Sequence, residues 1–346
     1  MINLASKYSE QIAGKFTRAS YVAGNASTDY EFSGARYISV YTPQTVGLND
    51  YVREGQNRFG TPLEMQDTVQ EMMLSQDKGF AVTIDKGNNM DQMNVKGASH
   101  MLNLQIKEQV VPYMDRYALS KWANEAGTVK GLSAAPTKAT IVEMIFDGAK
   151  ALDDGLVPDE GRVLYIPTTY YNMLRQSDAI LAVNSLNMNA KALEKGVVGM
   201  IADMKVVKVP DVYLPGNVYF LITHKSSVLH PNKIQTARVL TGVQGIDGAV
   251  LEGRNYFDAF VLGAKCMGVY AAVKAGDTLA APSITLSGGN AAITAASGSK
   301  IYYTLDGSDP RYSARKELYT GAVAAPAGTV VRAYAEAEGK FRSPVA

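Results

Sequence analysis

Residues 36–42, RYISVYT, alternate between two faces, with Tyr37, Ser39 and Tyr41 on one and Ile38 and Val40 on the other. Strict alternation predicts a strand, because successive side chains leave opposite faces of the chain. Phe80, Val82 and Ile84 repeat that pattern inside TVQEMMLSQDKGFAVTID. Between them runs PQTVGLNDYVREGQNRFGTPLEMQD, rich in Gly, Asn, Pro and charge. Two strands joined by this polar excursion predict an extended β-arm. A connection so long tends to be functional.

Residues 92–126 carry the longest helical pattern. Val95, Ala98, Met101, Leu102, Ile106, Val110, Met114, Tyr117, Leu119 and Trp122 recur at helical intervals. Pro112 lacks an amide donor and crowds the preceding turn, so a kink or a second start is expected there. A helix of about 30 residues would span roughly 45 Å, which suits a strut more than a small core. Upstream, residues 1–30 read as an arm, with Ile12 and Phe16 at helical spacing before the loop AGNAST.

Further on, AGTVKGLSAAP reads as a loop. Thr137 reads as the cap of a helix carrying Ile141, Ile145 and Leu152, with Gly155 as its stop. GRVLYIP is a predicted strand, and TTYYNMLRQS a short helix opened by threonine caps. GVVGMIADMKVVKVP and NVYFLITHKSSVLHP predict strands, and RNYFDAFVLGAKCMGVYAAV a closing hairpin or strand pair. The absence of a strict βαβ rhythm argues for an α+β fold.

At Pro282 the pattern changes. Ala, Gly, Ser and Thr rise, and short strands (SITLSG, AAITAA, SKIYYTLDG, ELYTGAV, TVVRAYAEAEG) recur at the spacing of a small β-sandwich. KAGDTLAAP before it reads as a linker. The stretch IYYTLDGSDPRYS, residues 301–313, runs from strand into two turns. Asp306-Gly307 is a hairpin dipeptide and Asp309-Pro310 opens the next turn, so turn geometry accounts for both aspartates. Tyr302 and Tyr303 must point opposite ways, one into the sandwich and one out.

Composition narrows the functions available. The 346 residues are 47% apolar and 19% charged, enough for two or three domains with a sizeable core. A net charge of +1 gives no field for gripping nucleic acid tightly. One cysteine, Cys266, rules out an intrachain disulfide or a multi-cysteine zinc site and fits a reducing cytosol. The N-terminus lacks the apolar core of a signal peptide, and no run approaches a membrane-spanning length.

Catalytic patterns are missing. There is no phosphate-cradling glycine loop, dinucleotide fingerprint or nucleophile elbow. His100, His224 and His230 have no metal-ligand spacing, and Cys266 reads as a small buried hydrophobe. Asp153 and Asp154 sit at a helix end, where solvated charge is normal. No catalytic residue, cofactor site or metal site is therefore expected. Tyr312, in a turn of the tail, is the one candidate contact for a glycan.

The order of arm, long β-loop (SVYTPQTVGLNDYVREG to GFAVTID), spine-like helix (LNLQIKEQVVPYMDRYALSKWANEAG) and later mixed domain resembles major capsid proteins of tailed bacteriophages, of the Hong Kong 97 type. GRVLYIPTTYYNMLRQS is similar to a strand and helix of their axial domain. GVVGMIADMKVVKVPDVYLP, VYFLITHKSSVLHP and GRNYFDAFVLGAKCMGVYAAV are similar to closing strands of the peripheral domain. The resemblance covers about residues 1–278. From about Pro282, YYTLDGSDPRYS and YTGAV with GTVVRAYAEAEG resemble the immunoglobulin-like C-terminal sandwich of chitobiase-type and hexosaminidase-type enzymes, an accessory without their catalytic carboxylates.

These resemblances imply an N-terminal arm over 1–30, an extended β-loop over 31–90, spine, peripheral and axial parts over 91–278, and a sandwich over 279–346 on the outer shell surface. They imply a structural protein, not an enzyme, that self-assembles into hexamers and pentamers of an icosahedral shell around double-stranded DNA held by weak contacts. The virion capsid is the implied location, after synthesis in the bacterial host cytoplasm. Scaffolding, portal and protease proteins are implied partners, with host-surface or mucus glycans for the tail and no membrane. Because the sequence begins almost at the arm, a separate scaffold or a prior cleavage is expected; no crosslinking Lys–Asn pair can be matched. Two other readings remain: a carbohydrate-active or carbohydrate-binding protein, resting on residues 301–313 and the sandwich, and an encapsulin-like nanocompartment shell.

Overall fold

The computed structural model describes residues 20–30, 32, 37–62, 64–65, 67–91, 97–177 and 197–346. The arm helix expected around Ile12 and Phe16 lies outside them. The chain runs through β1 (Tyr37–Pro43), β2 (Asp67–Met73), β3 (Gln76–Asp85), α1 (Lys86–Asp91), α2 (Ala98–Gln105), α3 (Val111–Asn124), β4 (Thr128–Leu132), α4 (Ile141–Asp154), β5 (Arg162–Pro167) and α5 (Thr168–Arg175). It continues through β6 (Val197–Ile201), β7 (Met204–Val209), β8 (Val218–His224), β9 (Val228–Leu229), β10 (Asn232–Thr241), β11 (Gly248–Phe257), β12 (Phe260–Val261) and β13 (Val269–Lys274). The tail adds β14 (Ser283–Ser287), β15 (Asn290–Thr294), β16 (Lys300–Thr304), β17 (Glu317–Leu318), β18 (Val323–Ala324) and β19 (Arg332–Glu336).

These elements pack as two compact units. One holds the described residues before Arg36 with Leu74–Val261 and Lys265–Asp277; the other holds Tyr37–Met73, Leu262–Ala264 and Thr278–Ala346.

The first unit is built on a six-stranded sheet in the order β4-β13-β8-β5-β7-β6. β13 runs parallel to β4 and β5 parallel to β7, while the other neighbours are antiparallel. Every residue of β5 and β8 is buried, which is why RVLYIP and VYFLITH are almost unbroken apolar runs: helices cover both faces. Leu164, Ile166, Phe220, Ile222 and Tyr270 meet Ile141, Ile145 and Leu152 of α4 and Leu174 of α5. Each such fully buried side chain contributes roughly 1.5–3 kcal/mol relative to exposure. On the opposite face Tyr165 lies 6.3 Å, ring to ring, from Trp122 of α3.

Several local expectations are corrected. β1 pairs with β2, whereas the strand carrying Phe80, Val82 and Ile84 is β3, which pairs with β11 in the antiparallel sheet β10-β11-β3. Alternation fixes a strand but not its partner. Here cross-strand pairs choose it: Arg254 holds Asp77 with two bonds of 2.9 and 2.6 Å, and the Phe80 ring covers Gly253. Likewise RNYFDAFVLGAKCMGVYAAV is not a hairpin. Its first half is β11 and its last is β13, in different sheets. Within AGTVKGLSAAP, Thr128–Leu132 forms the edge strand β4 through a parallel, non-local pairing that local pattern does not announce.

The long helix runs from Ala98 to Asn124, roughly 40 Å at 1.5 Å per residue. At Pro112 it neither stops nor restarts. A π-helical segment, Ile106–Val110, sits just before it, and Pro112 occupies the first turn of α3. The wider turn accommodates a residue that has no amide hydrogen and crowds the carbonyl four positions back.

Thr140, not Thr137, is the N-cap of α4; Thr137 supplies its backbone carbonyl to Ile141 N–H at 2.9 Å. Gly155 does not end α4 by adopting a left-handed conformation. Leu156 does, at φ 55°, with Val157 N–H bonding back to the Leu152 carbonyl. Gly155 is needed for a different reason, since a Cβ there would lie 2.9 Å from the Met267 Cβ. The threonines of α5 do not cap their own helix. Asp211 does so from another loop, accepting Thr169 N–H at 3.0 Å and its hydroxyl at 2.6 Å.

In the second unit, β1 and β2 form a two-stranded hairpin. The tail is a sandwich of two antiparallel three-stranded sheets, β14-β15-β18 and β17-β16-β19, closed over Ile293, Tyr303 and Ala333. Tyr303 is the inward member of the adjacent tyrosines. Tyr302 lies on the other face, stacked on Tyr334 with ring centroids 5.5 Å apart.

Candidate functional site

Most of the titratable side chains singled out in the sequence hold structure together. His224 donates from Nε2 to the Glu160 carbonyl at 2.8 Å, leaving Nδ1 to accept the Ser226 amide. His230 donates from Nδ1 to the Asp258 carbonyl at 2.9 Å, and burial holds its pKa below the usual histidine range. His100 is exposed on α2. Among the described residues no group of three or more His, Cys, Asp or Glu side chains is arranged to hold a metal. Cys266 is buried. Asp153 pairs with Arg162 at 2.7 Å, and the Arg162 guanidinium also reaches the Val157 and Pro158 carbonyls. Asp306 accepts the amide of Ser308, and Asp309 accepts the amide and guanidinium of Arg311. Both aspartates thus serve the turns. Tyr312 is half-buried, with its Cβ against the backbone of Gly263.

Among the described residues, several large apolar side chains stay in water. Tyr37 and Tyr41 on β1 are 62% and 67% exposed, and Leu48 and Phe59 in the connection to β2 are 103% and 82% exposed. The connection is nevertheless ordered from within. Val52 N–H bonds to the Arg58 carbonyl, Arg58 Nε to the Gly55 carbonyl, and the Tyr51 and Phe59 rings meet edge to face at 5.0 Å. A loop that fixes its own backbone yet leaves its large side chains in water presents them to something else. Large exposed apolar side chains on an ordered loop are the chemistry of an interaction surface.

The first half of the long helix packs less deeply than the second, with Met101, Leu102, Leu104 and Ile106 each half-buried. α2 and the π segment fully bury no residue. α3, by contrast, buries Ala118, Leu119, Trp122 and Ala123.

The start of the described chain is tied to α3 by polar bonds. The Asp115 carboxylate accepts the Ser20 hydroxyl at 2.5 Å and the Tyr21 amide at 2.8 Å, and burial raises its pKa. Lys205 Nζ donates to Asn25 Oδ1 at 2.8 Å, and Ser27 N–H to the Val228 carbonyl. Sequence reasoning missed Asp115, Asp211 and Asp258. A buried aspartate on a helix's apolar side is its one local sign, and only Asp115 shows it.

Comparison with known proteins places this architecture. The family model described as Fn3 associated matches residues 292–346. No curated protein matches the chain. Among solved structures, "Capsid structure of the Cyanophage P-SCSP1u" is similar with a TM-score of 0.64 at 13% identity, covering 78% of this chain and 92% of that one. "Asymmetric unit of bacteriophage PhiM1 mature capsid" gives a TM-score of 0.60 at 9% identity over 78% and 91%. A chain of Mycobacterium phage Che8 gives 0.59 at 16% identity over 78% and 96%. At these identities the likeness speaks for fold: the chain has an α+β fold shared with bacteriophage capsid structures, joined to a small tail sandwich matched by the Fn3-associated family.

Proposed function

We propose that this chain is a structural shell subunit, the major capsid protein of a tailed bacteriophage, and not an enzyme. The observation that carries the reading is the ordered β1–β2 hairpin and loop, whose Tyr37, Tyr41, Leu48 and Phe59 stay exposed, on a fold shared with phage capsids. In a tiling subunit such surface is buried by neighbours, and large intersubunit area takes over part of the stabilisation of a single core. Heterologous contacts of this sort close into rings. The subunits form hexamers and pentamers of an icosahedral shell around double-stranded DNA, with which a net charge of +1 makes only weak contact.

Within that reading the residues before 31 act as the N-terminal arm, 31–90 carry the extended loop, and 91–278 carry the spine, peripheral and axial parts. The sandwich of 279–346 sits on the exterior, with surface glycans as its proposed ligand class. Scaffolding, portal and protease proteins are the proposed assembly partners, and the virion capsid is the proposed location.

Electron microscopy of the purified full-length protein tests the proposal. Closed shells or hexamer and pentamer rings are expected, and the double variant Leu48→Ser, Phe59→Ser should prevent them while the subunit stays folded. A discrete monomer or dimer under all salt and scaffold conditions overturns it. Shells that form in the host but never hold DNA would favour the nanocompartment reading.

A further inference from the structure

The stretch 306–315 has a use inside its own subunit. Its turn is rigid: Tyr312 and Ser313 amides both bond to the Asp309 carbonyl, Asp309 Oδ2 holds Arg311 Nη2 at 2.7 Å, and Ser313 Oγ accepts the Arg315 amide. Rigid turns present backbone groups at fixed positions. Here the next amide, Ala314 N–H, donates to the carbonyl of Val69 in β2 at 2.9 Å. One residue along β2, the Gln70 Oε1 accepts the amide of Gly263 at 2.7 Å. Gly263 in turn lies flat against Tyr312, where a Cβ would come within 2.7 Å of the Tyr312 Cβ. The three segments close a ring of contacts: β2 to the tail turn, the tail turn to Gly263, and Gly263 back to β2.

We propose that the tail turn around Tyr312 is an internal clamp for the β1–β2 hairpin, with β2 of the same chain as its partner. A two-stranded hairpin has open edges and little stability of its own. An added backbone bond at Val69 and a side-chain bond at Gln70 restrain the middle of the hairpin against twisting. The hairpin's side chains agree with this: Ile38, Val40 and Gln70 are half-buried and Met72 is buried, while Tyr37 and Tyr41 on the other face stay exposed. The tail therefore sets the direction in which the exposed apolar loop leaves the sandwich. Tyr312 works as packing for the clamp, and the Asp309–Arg311 pair as its stiffener.

Hydrogen exchange of the full-length chain before assembly tests the clamp, so its outcome does not depend on whether shells form. Two variants are compared with the parent: Gln70→Ala combined with Tyr312→Ala, and Gly263→Val. Peptides covering 67–73 should exchange about tenfold faster or more in both, because protection falls with each lost restraint. Peptides covering 300–304 and 332–336 should keep their protection, as should those of the six-stranded sheet. If Tyr312→Ala unfolds the tail, Gly263→Val and Gln70→Ala alone carry the comparison, since neither removes a tail side chain. Unchanged exchange over 67–73 in these variants overturns the proposal.

Discussion

The Tyr117 hydroxyl donates to Asp258 Oδ1 at 2.7 Å, joining the long helix to a turn 141 residues away. The same carboxylate accepts the amides of Ser75 and Ala259, both at 2.8 Å, and is 2% exposed. Asp258→Ala leaves three donors without this acceptor and should cost about 3 kcal/mol or more; Tyr117→Phe removes one charge-assisted bond, about 1.5–3 kcal/mol. Urea unfolding followed by the fluorescence of Trp122, the sole and fully buried tryptophan, measures both.

Burial and the Asp258 carboxylate push the Tyr117 phenol up to about 12, above its ordinary value of 10.0. A raised folded-state pKa contributes stability that is complete below pH 10 and is lost as pH rises through about 12. Alkaline unfolding should therefore steepen in that window. Tyr117→Phe should flatten it, with tyrosinate absorbance as the readout.

At Asp115 the sign is the same, because burial dominates and raises the folded-state pKa of a carboxyl above 3.8. Its contribution is greatest below the unfolded value and declines as pH rises through the folded one. Asp115→Asn keeps an acceptor while removing the desolvated charge. It should destabilise less than Asp115→Ala at neutral pH and abolish this part of the pH slope. Asp115→Ala should also free residues 20–28, seen as faster proteolysis there.

Gly155 and Leu156 should respond in opposite directions. Gly155→Ala drives a Cβ towards Met267 and should destabilise by about 1–3 kcal/mol. Leu156→Gly relieves a left-handed residue that is 91% exposed and should stabilise by about 0.5–1 kcal/mol. Thermal unfolding of the two variants checks the pair. Equal losses in both would falsify the assignment of the left-handed position to Leu156.

Much of the fold was legible along the chain because its signals are local. The almost unbroken apolar runs at 162–167 and 218–224, the helical spacing from Ala98 to Trp122 and the turn dipeptides of the tail all act within a few residues. Local signals also separated Tyr302 from Tyr303 without saying which faces inward. The uncovered loop was readable as an unusually long excursion, though its exposed Leu48 and Phe59 were not singled out.

Partners were not legible. The sequence by itself determined most of the strands and helices, though not β4 in AGTVKGLSAAP, and where the composition changes near Pro282. Tertiary structure alone decided that β3 joins β11 and not β1, that Asp211 caps α5, and that Gly155 serves Met267 while Leu156 turns the chain. It also decided that Ala314 reaches Val69, giving the stretch from Ile301 to Ser313 its place beside the hairpin. The physical reason is range. Backbone propensity and side-chain alternation act over a handful of residues, whereas pairing, capping in trans and close approach depend on which surfaces burial brings together.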